Sequence, residues 1–367
     1  MNIIHIVLGK ANPNRMNGVN KVVHSLATAQ KELGYNVYVF GITNSTSKDD
    51  VERKYILKTF KKYKFSLDPQ LVSEILSFSP KNTIFHIHGG FIYNFFFITR
   101  LLQKYNYRYI FTPHGSYNKE AMRKNLLLKK IHFKLFDSRI LKGAWKVQLL
   151  GKSEYYHIDN LITGINKVLI PNGFDPKEIK FKFTKILSPQ RPVFGYLGRI
   201  DMYAKGLDLL LEGFLKYKRE GGKGILWIVG DGKDLPKLKS FVERHGLNQD
   251  VKFWGPKFGE EKYNILANMD VFIHTSRFEG FPMAILEAAS LGLPLLVSKE
   301  TNMHYYISNY SCGLVLDQLN PSSIKTKLLE FESIIQNKIL YLSLKKLSVK
   351  MIREEFDWKK IGKHLIT

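Results

Sequence analysis

The chain of 367 residues is long enough to bury two hydrophobic cores, and its 44% apolar and 13% aromatic residues exclude a globally disordered protein. The single cysteine, Cys312, excludes an internal disulfide framework and a cysteine-based zinc site. The formal net charge is +24, and residues 1–187 carry 30 of the 56 Lys and Arg residues but only 12 of the 32 Asp and Glu residues. This imbalance predicts an anionic partner for the N-terminal half: nucleic acid, an acidic membrane surface or a phosphorylated substrate. The alternative is a lysine-rich composition without a dedicated partner.

The N-terminal half shows alternating strand and helix patterns. A buried strand is predicted over residues 3–8, followed by a glycine-bearing loop to Gly18 and a helix over residues 19–33. Further strands are predicted over residues 37–40, 83–87 and 108–111. His88 directly follows the second of these and is a candidate for the acceptor side of a site, although a histidine in such a place is often only a hydrogen-bonded loop residue.

Residues 119–146 form a basic amphipathic segment. Leu127, Ile131 and Leu135 are spaced four residues apart, as on one face of a helix, and four lysines accompany them: Lys124, Lys129, Lys130 and Lys134. A helix of this kind can lie on an anionic bilayer, or its apolar stripe can pack on the N-terminal sheet. We expect the stripe to pack on the sheet and the lysines to face an anionic membrane.

The strand and helix pattern restarts after a polar linker at residues 170–190. Strands are predicted over residues 193–197, 225–229, 251–253, 271–274 and 295–297, alternating with helices over 207–217, 235–245, 262–268 and 283–291. This alternation is typical of α/β domains with doubly wound parallel sheets, which bind ligands at the carboxyl ends of the strands.

No secretory signal or membrane-spanning segment is predicted. The apolar run at residues 1–8 lacks a basic lead and a cleavage site, and the longest apolar runs are too short to cross a bilayer. We therefore expect a cytoplasmic protein that is peripheral at the inner face of the cell membrane.

Residues 277–287 form the first motif that contains candidate ligand-binding groups. Glu279 and Glu287 are eight residues apart, and the segment lies between a predicted strand and a predicted helix. Gly280 allows close approach of the backbone to a ligand, and Pro282 suits the first turn of a helix, whose free N–H groups bind anions. A carboxylate here can accept hydrogen bonds from sugar hydroxyls, although a helix start also favours glutamates without any ligand.

Residues 195–206 are the second motif. Arg199 leaves the end of a predicted strand, and Lys205 precedes a predicted helix. Two cations that converge at a strand end suit a diphosphate, because guanidinium and ammonium groups donate charge-assisted hydrogen bonds to phosphate oxygens. They would also stabilise charge on a departing nucleotide. Taken alone, they are equally consistent with two ordinary loop cations.

An ordered series of shorter motifs accompanies these two. It comprises Asn17-Gly18-Val19, Thr112-Pro113-His114-Gly115, Ile170-Pro171-Asn172-Gly173-Phe174-Asp175, Gly230-Asp231-Gly232 and Phe253-Trp254-Gly255. With this series the chain resembles glycosyltransferase family 4, whose members are retaining enzymes of the two-lobed GT-B fold. The resemblance implies two Rossmann-like domains that face each other across a cleft. Residues 1–172 would form the acceptor side and residues 173–354 would bind the donor, with a last helix at about 355–367 packing back on the first domain.

The resemblance also implies roles for individual residues. Arg199 and Lys205 are expected to bind the donor diphosphate, and Glu287 to hold the ribose. Glu279 is expected to contact the transferred sugar beside its anomeric carbon, with His114 near the same sugar. The expected catalytic residues are Glu279, His114, Arg199 and Lys205.

The remaining expected contacts come mainly from loop backbone. They comprise Gly280, Phe281, Pro282 and Met283 for sugar and phosphate, Gly18 in a loop that closes over the diphosphate, and Asn17 and His88 on the acceptor side. The usual tandem glycine of the family is Asn17-Gly18 here, which departs from the pattern in the loop that admits the acceptor.

Other chemistries lack their motifs. No Asp-x-Asp pair is present to hold a cation against a diphosphate, and so we expect neither a metal nor another cofactor. A phosphate-binding loop of the Gly-x-x-x-x-Gly-Lys-Ser/Thr form and a Gly-x-Ser-x-Gly nucleophile motif are also missing.

The predicted function is sugar transfer from a nucleotide sugar, with UDP favoured and GDP possible, to a lipid-linked or polysaccharide acceptor in surface glycan synthesis. Two alternatives stay open. One is a nucleotide-sugar epimerase of the same fold, which would need an acid/base pair at the sugar ring. The other is a non-enzymatic nucleic-acid binder, which would leave the two motifs unexplained. We expect no nucleic-acid partner and an anionic membrane contact through the N-terminal half.

Overall fold

The computed structural model describes residues 1–13, 18–45, 51–123, 125–176, 179 and 191–367. Asn17, Lys124 and most of the predicted linker therefore lie outside the described residues. The chain divides into two compact units. Unit 1 comprises Met1–Gly173 and Asp357–Thr367, and unit 2 comprises Phe174–Phe356.

Unit 1 contains a seven-stranded sheet in the order β3-β2-β1-β4-β5-β6-β7, and every strand pair in it is parallel. The strands are β1 (Asn2–Leu8), β2 (Asn36–Ile42), β3 (Ile56–Phe60), β4 (Thr83–His88), β5 (Arg108–Thr112), β6 (Lys146–Leu149) and β7 (Lys167–Leu169). All six residues of β4 are buried, as expected for a central strand that is covered on both faces.

The helices of unit 1 connect these strands. They are α1 (Gly18–Glu32), α2 (Pro69–Leu76), α3 (Tyr93–Lys104), α4 (Lys119–Arg123), α5 (Leu126–His132), α6 (Ser138–Gly143), α7 (Lys152–His157) and α15 (Trp358–Ile366). Short 3-10 turns occur at Pro80–Asn82 and Ile158–Asn160, and a π turn, Phe133–Asp137, joins α5 to α6. Helix α15, from the end of the chain, packs on α1, and the indole of Trp358 covers Gly173.

Unit 2 contains a six-stranded parallel sheet in the order β10-β9-β8-β11-β12-β13. The strands are β8 (Val193–Leu197), β9 (Ile225–Val229), β10 (Val251–Gly255), β11 (Val271–His274), β12 (Leu295–Val297) and β13 (Gly313–Val315). The helices are α8 (Leu207–Arg219), α9 (Leu235–Arg244), α10 (Gly259–Ala267), α11 (Met283–Ser290), α12 (His304–Tyr310), α13 (Pro321–Gln336) and α14 (Lys338–Glu355), with a 3-10 turn at Lys299–Thr301. The order of both sheets reverses direction beside a central strand, β1 in unit 1 and β8 in unit 2, which is the switch point of a doubly wound sheet.

The expected packing of the basic segment is wrong. Leu127 and Leu128 are 73% and 69% exposed, and Ile131 and Leu135 are also exposed. The physical reason is that a different set of apolar residues in the same helical segment, residues 126–143, packs inward. Phe133, Ile140 and Leu141 join the core of unit 1, and the predicted stripe faces outward.

Among the described helices, none combines the length and the apolar character needed to cross a bilayer.

Candidate active site

Two loops of unit 2 follow neighbouring strands and meet at one edge of the sheet. Residues 198–206 connect β8 to α8, and residues 275–282 connect β11 to α11. Strand β11 pairs with β8 in parallel, with Val271 opposite Phe194, so that both loops leave the carboxyl ends of their strands side by side. The amide of Arg277 donates to the carbonyl of Ala204 at 3.0 Å and joins the two loops directly.

Lys205 and Glu279 form a nearly buried ion pair between these loops. The Lys205 Nζ donates to Glu279 Oε1, and the two side chains are only 16% and 12% exposed. The same oxygen contacts His274 Nε2 at 2.9 Å and accepts the hydroxyl of Ser276 at 2.8 Å. The carboxylate of Glu279 is therefore held in place by groups from the end of β11 and from the β8 loop.

Gly206 allows this pairing. Its φ is +61°, in the left-handed region, and a Cβ atom there would lie 2.0 Å from the carbonyl oxygen of Thr275. A side chain at this position would therefore push apart the two loops that carry Lys205 and Glu279.

The electrostatics keep Glu279 ionised. Burial alone would raise the pKa of its carboxyl, but the charge of Lys205 and the hydrogen bonds from His274 and Lys205 outweigh burial and lower the pKa well below its usual range. Burial lowers the pKa of His274, so that this imidazole acts as a neutral hydrogen-bond donor to the carboxylate. A carboxylate that stays charged can accept hydrogen bonds from hydroxyl groups and can stabilise positive charge on a nearby carbon.

Arg199 lies in the same loop as Lys205 and its side chain is 63% exposed. The hydroxyl of Tyr196 donates to the Arg199 carbonyl at 2.9 Å and fixes the backbone there, while the guanidinium lies 3.9 Å from Asp201 Oδ2. Its N–H fork is therefore presented to solvent at the same sheet edge. The structure thus brings one exposed guanidinium and one nearly buried ammonium into a single loop.

Arg277, in the loop after β11, forms an ion pair with α8 and a hydrogen bond with the loop after β8. The guanidinium of Arg277 binds both oxygens of Asp208 in α8 at 2.7 Å and also donates to the Tyr203 carbonyl at 2.8 Å. Hydrogen bonding to Asp208 raises the pKa of Arg277. Two parallel hydrogen bonds between a guanidinium and a carboxylate fix the relative orientation of the two groups as well as the distance between them.

The segment that leads into α11, residues 279–282, is held in place by residues from other parts of unit 2. The side-chain amide of Asn302 donates to the carbonyls of Glu279 at 3.0 Å and Gly280 at 3.1 Å. Phe281 is buried against Tyr306 and Phe356, and Pro282 occupies the N-cap position of α11 without a side-chain cap. The first N–H groups of α11 begin at Met283, so the positive end of this helix lies beside Glu279.

Glu287 lies one turn into α11 and is only 4% exposed. Its Oε2 accepts from Lys262 Nζ of α10 at 3.0 Å. Lys262 is itself 14% exposed, and this residue was not among the predicted site residues. Glu287 is therefore a second buried carboxylate with a lysine partner, and it lies in the helix that follows the Glu279 loop.

In unit 1 the predicted residues lie at strand ends. Gly18 begins α1, His88 ends β4 and His114 follows β5, with 3.1 Å between Nδ1 of His88 and Nε2 of His114. His114 adopts φ +55°, and the next residue, Gly115, is also in the left-handed region. The structure therefore brings His88 and His114 together, while Asn17 lies outside the described residues.

Glu154, which was not predicted, shapes the His114 loop. This buried carboxyl accepts the amides of Gly115 at 3.1 Å and Tyr117 at 3.0 Å. Burial raises the pKa of Glu154 to about 7, although the two amide donors act in the opposite direction. A carboxyl more than thirty residues downstream thus closes the turn after β5.

Four histidines of unit 1 form a packed cluster: His5 on β1, His86 and His88 on β4, and His114. Burial lowers the pKa of each, to about 4 for His5 and about 3 for His114, so that the cluster is neutral at pH 7. Nitrogens of His5, His86 and His88 lie within 4.8 Å of one another, and three imidazoles are a donor set that suits zinc. Among the described residues, however, hydrogen bonds engage all of these ring nitrogens except Nδ1 of His86. We therefore describe the cluster as a hydrogen-bonded network.

Comparison with known proteins identifies the family. The family model described as Glycosyltransferase Family 4 matches residues 16–178, and the one described as Glycosyl transferases group 1 matches residues 164–345. The lipopolysaccharide 1,6-galactosyltransferase of Salmonella typhimurium is 30% identical over 155 residues, which are 39% of this chain and 42% of that enzyme. The match therefore spans less than half the length of that relative.

Solved structures agree in fold over the whole chain. The sucrose-phosphate synthase of Thermosynechococcus elongatus superposes with a TM-score of 0.78 at 17% identity, covering 100% of this chain and 97% of that one. Anabaena HepE in complex with UDP and glucose gives a TM-score of 0.74 at 15% identity, covering 100% and 98%. The two family models, the ordered motifs and the two parallel sheets lead to one conclusion: this chain belongs to glycosyltransferase family 4, a family of retaining glycosyltransferases with the GT-B fold.

Proposed function

We propose that the protein transfers a sugar from a nucleoside diphosphate sugar, a UDP sugar first and a GDP sugar second, to a lipid-linked or polysaccharide acceptor in surface glycan synthesis. The observation that carries the proposal is the Lys205–Glu279 pair, set beside Arg199 and the start of α11 at the carboxyl ends of β8 and β11. The UDP bound to HepE and the lipopolysaccharide activity of the Salmonella relative support the choice of donor and acceptor class.

The two cations of the β8 loop would bind the diphosphate. An ammonium group has three N–H donors, and so Lys205 can keep Glu279 as a partner and still donate to a phosphate oxygen. The exposed guanidinium of Arg199 can bind two phosphate oxygens at once. As the bond between the anomeric carbon and the diphosphate oxygen breaks, negative charge grows on the leaving group, and both cations would stabilise it without a metal ion.

The two carboxylates would contact the sugars of the donor. Glu279 stays ionised, so that it can accept a hydroxyl hydrogen bond and stabilise positive charge at the anomeric carbon. Glu287 would accept the ribose hydroxyls, with Lys262 balancing its charge. The backbone of residues 280–283 and the positive end of α11 would support phosphate and sugar. In unit 1, His114 would bind a sugar hydroxyl, Gly18 would belong to the loop over the diphosphate, and Asn17 would serve the acceptor side. His88 is buried and both of its ring nitrogens are hydrogen-bonded, so it would act there only through His114.

A membrane contact through unit 1 forms part of this proposal. The exposed apolar side chains of Leu127, Leu128, Ile131 and Leu135 stand beside the exposed Lys130 and Lys134. An apolar face flanked by lysines suits the boundary of an acidic bilayer, where each lysine contributes about 1 kcal/mol. A lipid-linked acceptor would be reached from the same surface.

The first experiment measures release of free nucleotide from a panel of nucleotide sugars with lipid-linked and polysaccharide acceptors, together with the product. A new glycosidic linkage supports transfer, whereas an epimerised donor would indicate the epimerase. Lys205→Ala and Arg199→Ala should each lower turnover at least tenfold, since loss of one transition-state charge contact costs about 2 to 4 kcal/mol. Lys239→Ala is the matched control, because Lys239 is an exposed lysine on α9, outside both loops. Normal turnover in both loop variants would overturn the diphosphate assignment. Binding of UDP and of DNA across a salt series tests the nucleic-acid alternative.

The second experiment measures sedimentation with acidic and neutral vesicles at low and high salt. Lys130→Gln with Lys134→Gln should reduce binding at low salt, because it removes the electrostatic part. Leu127→Ser with Leu128→Ser should abolish the binding that survives high salt. Ile339→Ser with Leu342→Ser is the matched control, since these side chains of unit 2 are also exposed, 86% and 55%. Equal sedimentation with both kinds of vesicle, or no effect of either unit 1 variant, would remove the membrane contact from the proposal.

A further inference from the structure

The histidine cluster contains a continuous chain of hydrogen bonds from the interior of unit 1 to His114. Oε1 of Gln30 lies 2.8 Å from Nε2 of His5, and Nδ1 of His5 lies 3.0 Å from Nε2 of His88. Nδ1 of His88 in turn lies 3.1 Å from Nε2 of His114. Gln30, His5 and His88 are each at most 2% exposed, so that water does not interrupt the chain.

The direction of the protons along this chain is set at Gln30. Its amide nitrogen faces the carbonyl oxygen of Gly362 at 3.5 Å, and turning the amide over would place two acceptor oxygens against each other. Oε1 of Gln30 therefore faces His5, and it can only accept. A neutral imidazole has one N–H and one nitrogen lone pair. A ring that donates at one nitrogen must therefore accept at the other, and this fixes the direction of the next hydrogen bond in the chain.

The consequence is one tautomer for each ring. Nε2 of His5 carries the proton that Gln30 accepts, which leaves a lone pair on its Nδ1. Nε2 of His88 must then donate to that lone pair, and Nδ1 of His88 must accept from Nε2–H of His114. The Nδ1 atom of His114 is left with a lone pair. All three rings are neutral, as the chain requires, because burial lowers the pKa of each.

We infer that the chain Gln30–His5–His88 is a positioning device that holds His114 as the Nε2–H tautomer, so that its Nδ1 accepts a hydrogen bond from a hydroxyl group of the sugar substrate. This inference rests on the proposed function for the identity of the ligand, but not for the order of the protons. His114 would thereby favour a sugar that presents a hydroxyl donor at this point over an analogue with a fluorine or a methoxy group there.

A neighbouring chain offers a matched comparison. His86 donates from Nε2 to Thr112 at 2.7 Å, because the hydroxyl of Thr112 is itself donated to Oε1 of Gln148 at 2.7 Å. The amide nitrogen of Gln148 donates to the Ile170 carbonyl at 3.0 Å. Gln148 is thus another buried glutamine that orients a histidine of the cluster, but it does not lead to His114.

The test is NMR of the imidazole nitrogens in protein labelled with ¹⁵N-histidine, where long-range ¹H–¹⁵N correlations distinguish the two neutral tautomers. His114→Gln assigns the signals. In the wild type, His5, His88 and His114 should all show the Nε2–H pattern, and a Nδ1–H pattern for His114 would overturn the inference even if every variant failed to fold. Gln30→Leu should populate both tautomers of His114, because the reversed chain then becomes available. Gln148→Leu should leave His114 unchanged, and an unchanged His114 in Gln30→Leu would refute the role of the chain.

Kinetics then connect the tautomer to sugar binding. If Gln30→Leu populates the two tautomers equally, kcat/KM is expected to fall about twofold, in proportion to the competent fraction. An unchanged kcat/KM despite mixed tautomers would overturn the role in substrate binding. If the spectra follow the expected pattern but the wild type transfers no sugar, the proposed function fails and the order of the protons still holds.

Discussion

Acidification should destabilise unit 1 through its buried histidines. Burial lowers the pKa of the four cluster histidines in the folded state, to about 4 for His5, to about 3 for His114 and well below 6.5 for His86 and His88. In the unfolded chain they titrate near the ordinary value of 6.5. A group with a depressed folded pKa of this kind binds protons only after unfolding, so stability is lost as the pH falls below 6.5.

The magnitude follows from proton linkage. Lowering the pH from 7.5 to 5.5 stabilises the unfolded state by about 1.4 kcal/mol for each of these histidines, or about 5.5 kcal/mol for the four. Glu154 acts in the opposite direction, because burial raises the pKa of its carboxyl to about 7 and the folded state takes up the proton first. Its contribution is about 2 kcal/mol over the same interval, which leaves a net loss of about 3.5 kcal/mol. That loss is a large fraction of a typical unfolding free energy of about 5 to 15 kcal/mol.

The assay compares urea unfolding at pH 7.5 and 5.5 for the wild type and for His86→Gln. Glutamine keeps a donor for Thr112 but does not titrate, so the loss on acidification should shrink by about 1.4 kcal/mol in the variant. Hydrogen exchange of peptides from β1 and β4 assigns the effect to unit 1. His304→Gln, on unit 2, is the control and should leave these peptides unchanged. Equal pH dependence in the wild type and in His86→Gln would refute the reasoning.

Three further predictions concern unit 2. Gly206→Ala should lower both the melting temperature and turnover, because its Cβ would meet the Thr275 carbonyl, whereas Gly246→Ala, at φ +66° in open space, should cost only the backbone strain of about 1 to 2 kcal/mol. Lys262→Met should destabilise by about 3 to 5 kcal/mol, since it leaves Glu287 buried without its cation, and adding Glu287→Met should recover most of that loss in thermal unfolding while abolishing donor binding. The linkage formed should retain the anomeric configuration of the donor, and turnover should persist in EDTA. An inverted product by NMR, or activity restored only by added metal, would contradict this last expectation.

The parallel sheets were predictable because their central strands are continuous apolar runs between loops. The residues of β8, β9 and β11 are all buried, and runs of this type before a glycine loop have few alternatives. The edge strand β3 was not predicted, since its residues are mostly half-exposed and its sequence lacks a continuous apolar run. Short edge strands acquire their conformation from the neighbouring strand more than from their own sequence.

The site was only partly predictable, because spacing along the chain reveals strand ends but not partners. Lys205 and Glu279 could be nominated since each follows a strand, and the structure adds that they pair. Lys262 carries no such signal: it is one of many lysines, and only the packing of α10 beside α11 brings it to Glu287. The same limit explains the error at residues 127–135, where helical spacing defined an apolar face but could not say which element, if any, would cover it.

The ion pairs of unit 2 would hold the proposed donor site in order before a donor binds. Two carboxylates, Glu279 and Glu287, are almost buried, and a buried charge requires a partner or a shifted pKa. Lys205 and Lys262 supply the partners, and because each cation comes from a different element, each pair also fixes the distance between two elements. Without Glu279, Lys205 would turn to solvent, and a phosphate would have to order it at an entropic cost. Glu279 would therefore act twice in the proposed reaction, as a ligand for a sugar hydroxyl and as the group that holds Lys205 ready for the diphosphate. Glu279→Gln should therefore weaken UDP binding as well as turnover, although the proposed contact of this glutamate is with the sugar and not with the nucleotide. Calorimetric titration with UDP alone checks it, and unchanged UDP affinity in Glu279→Gln would confine this residue to the sugar.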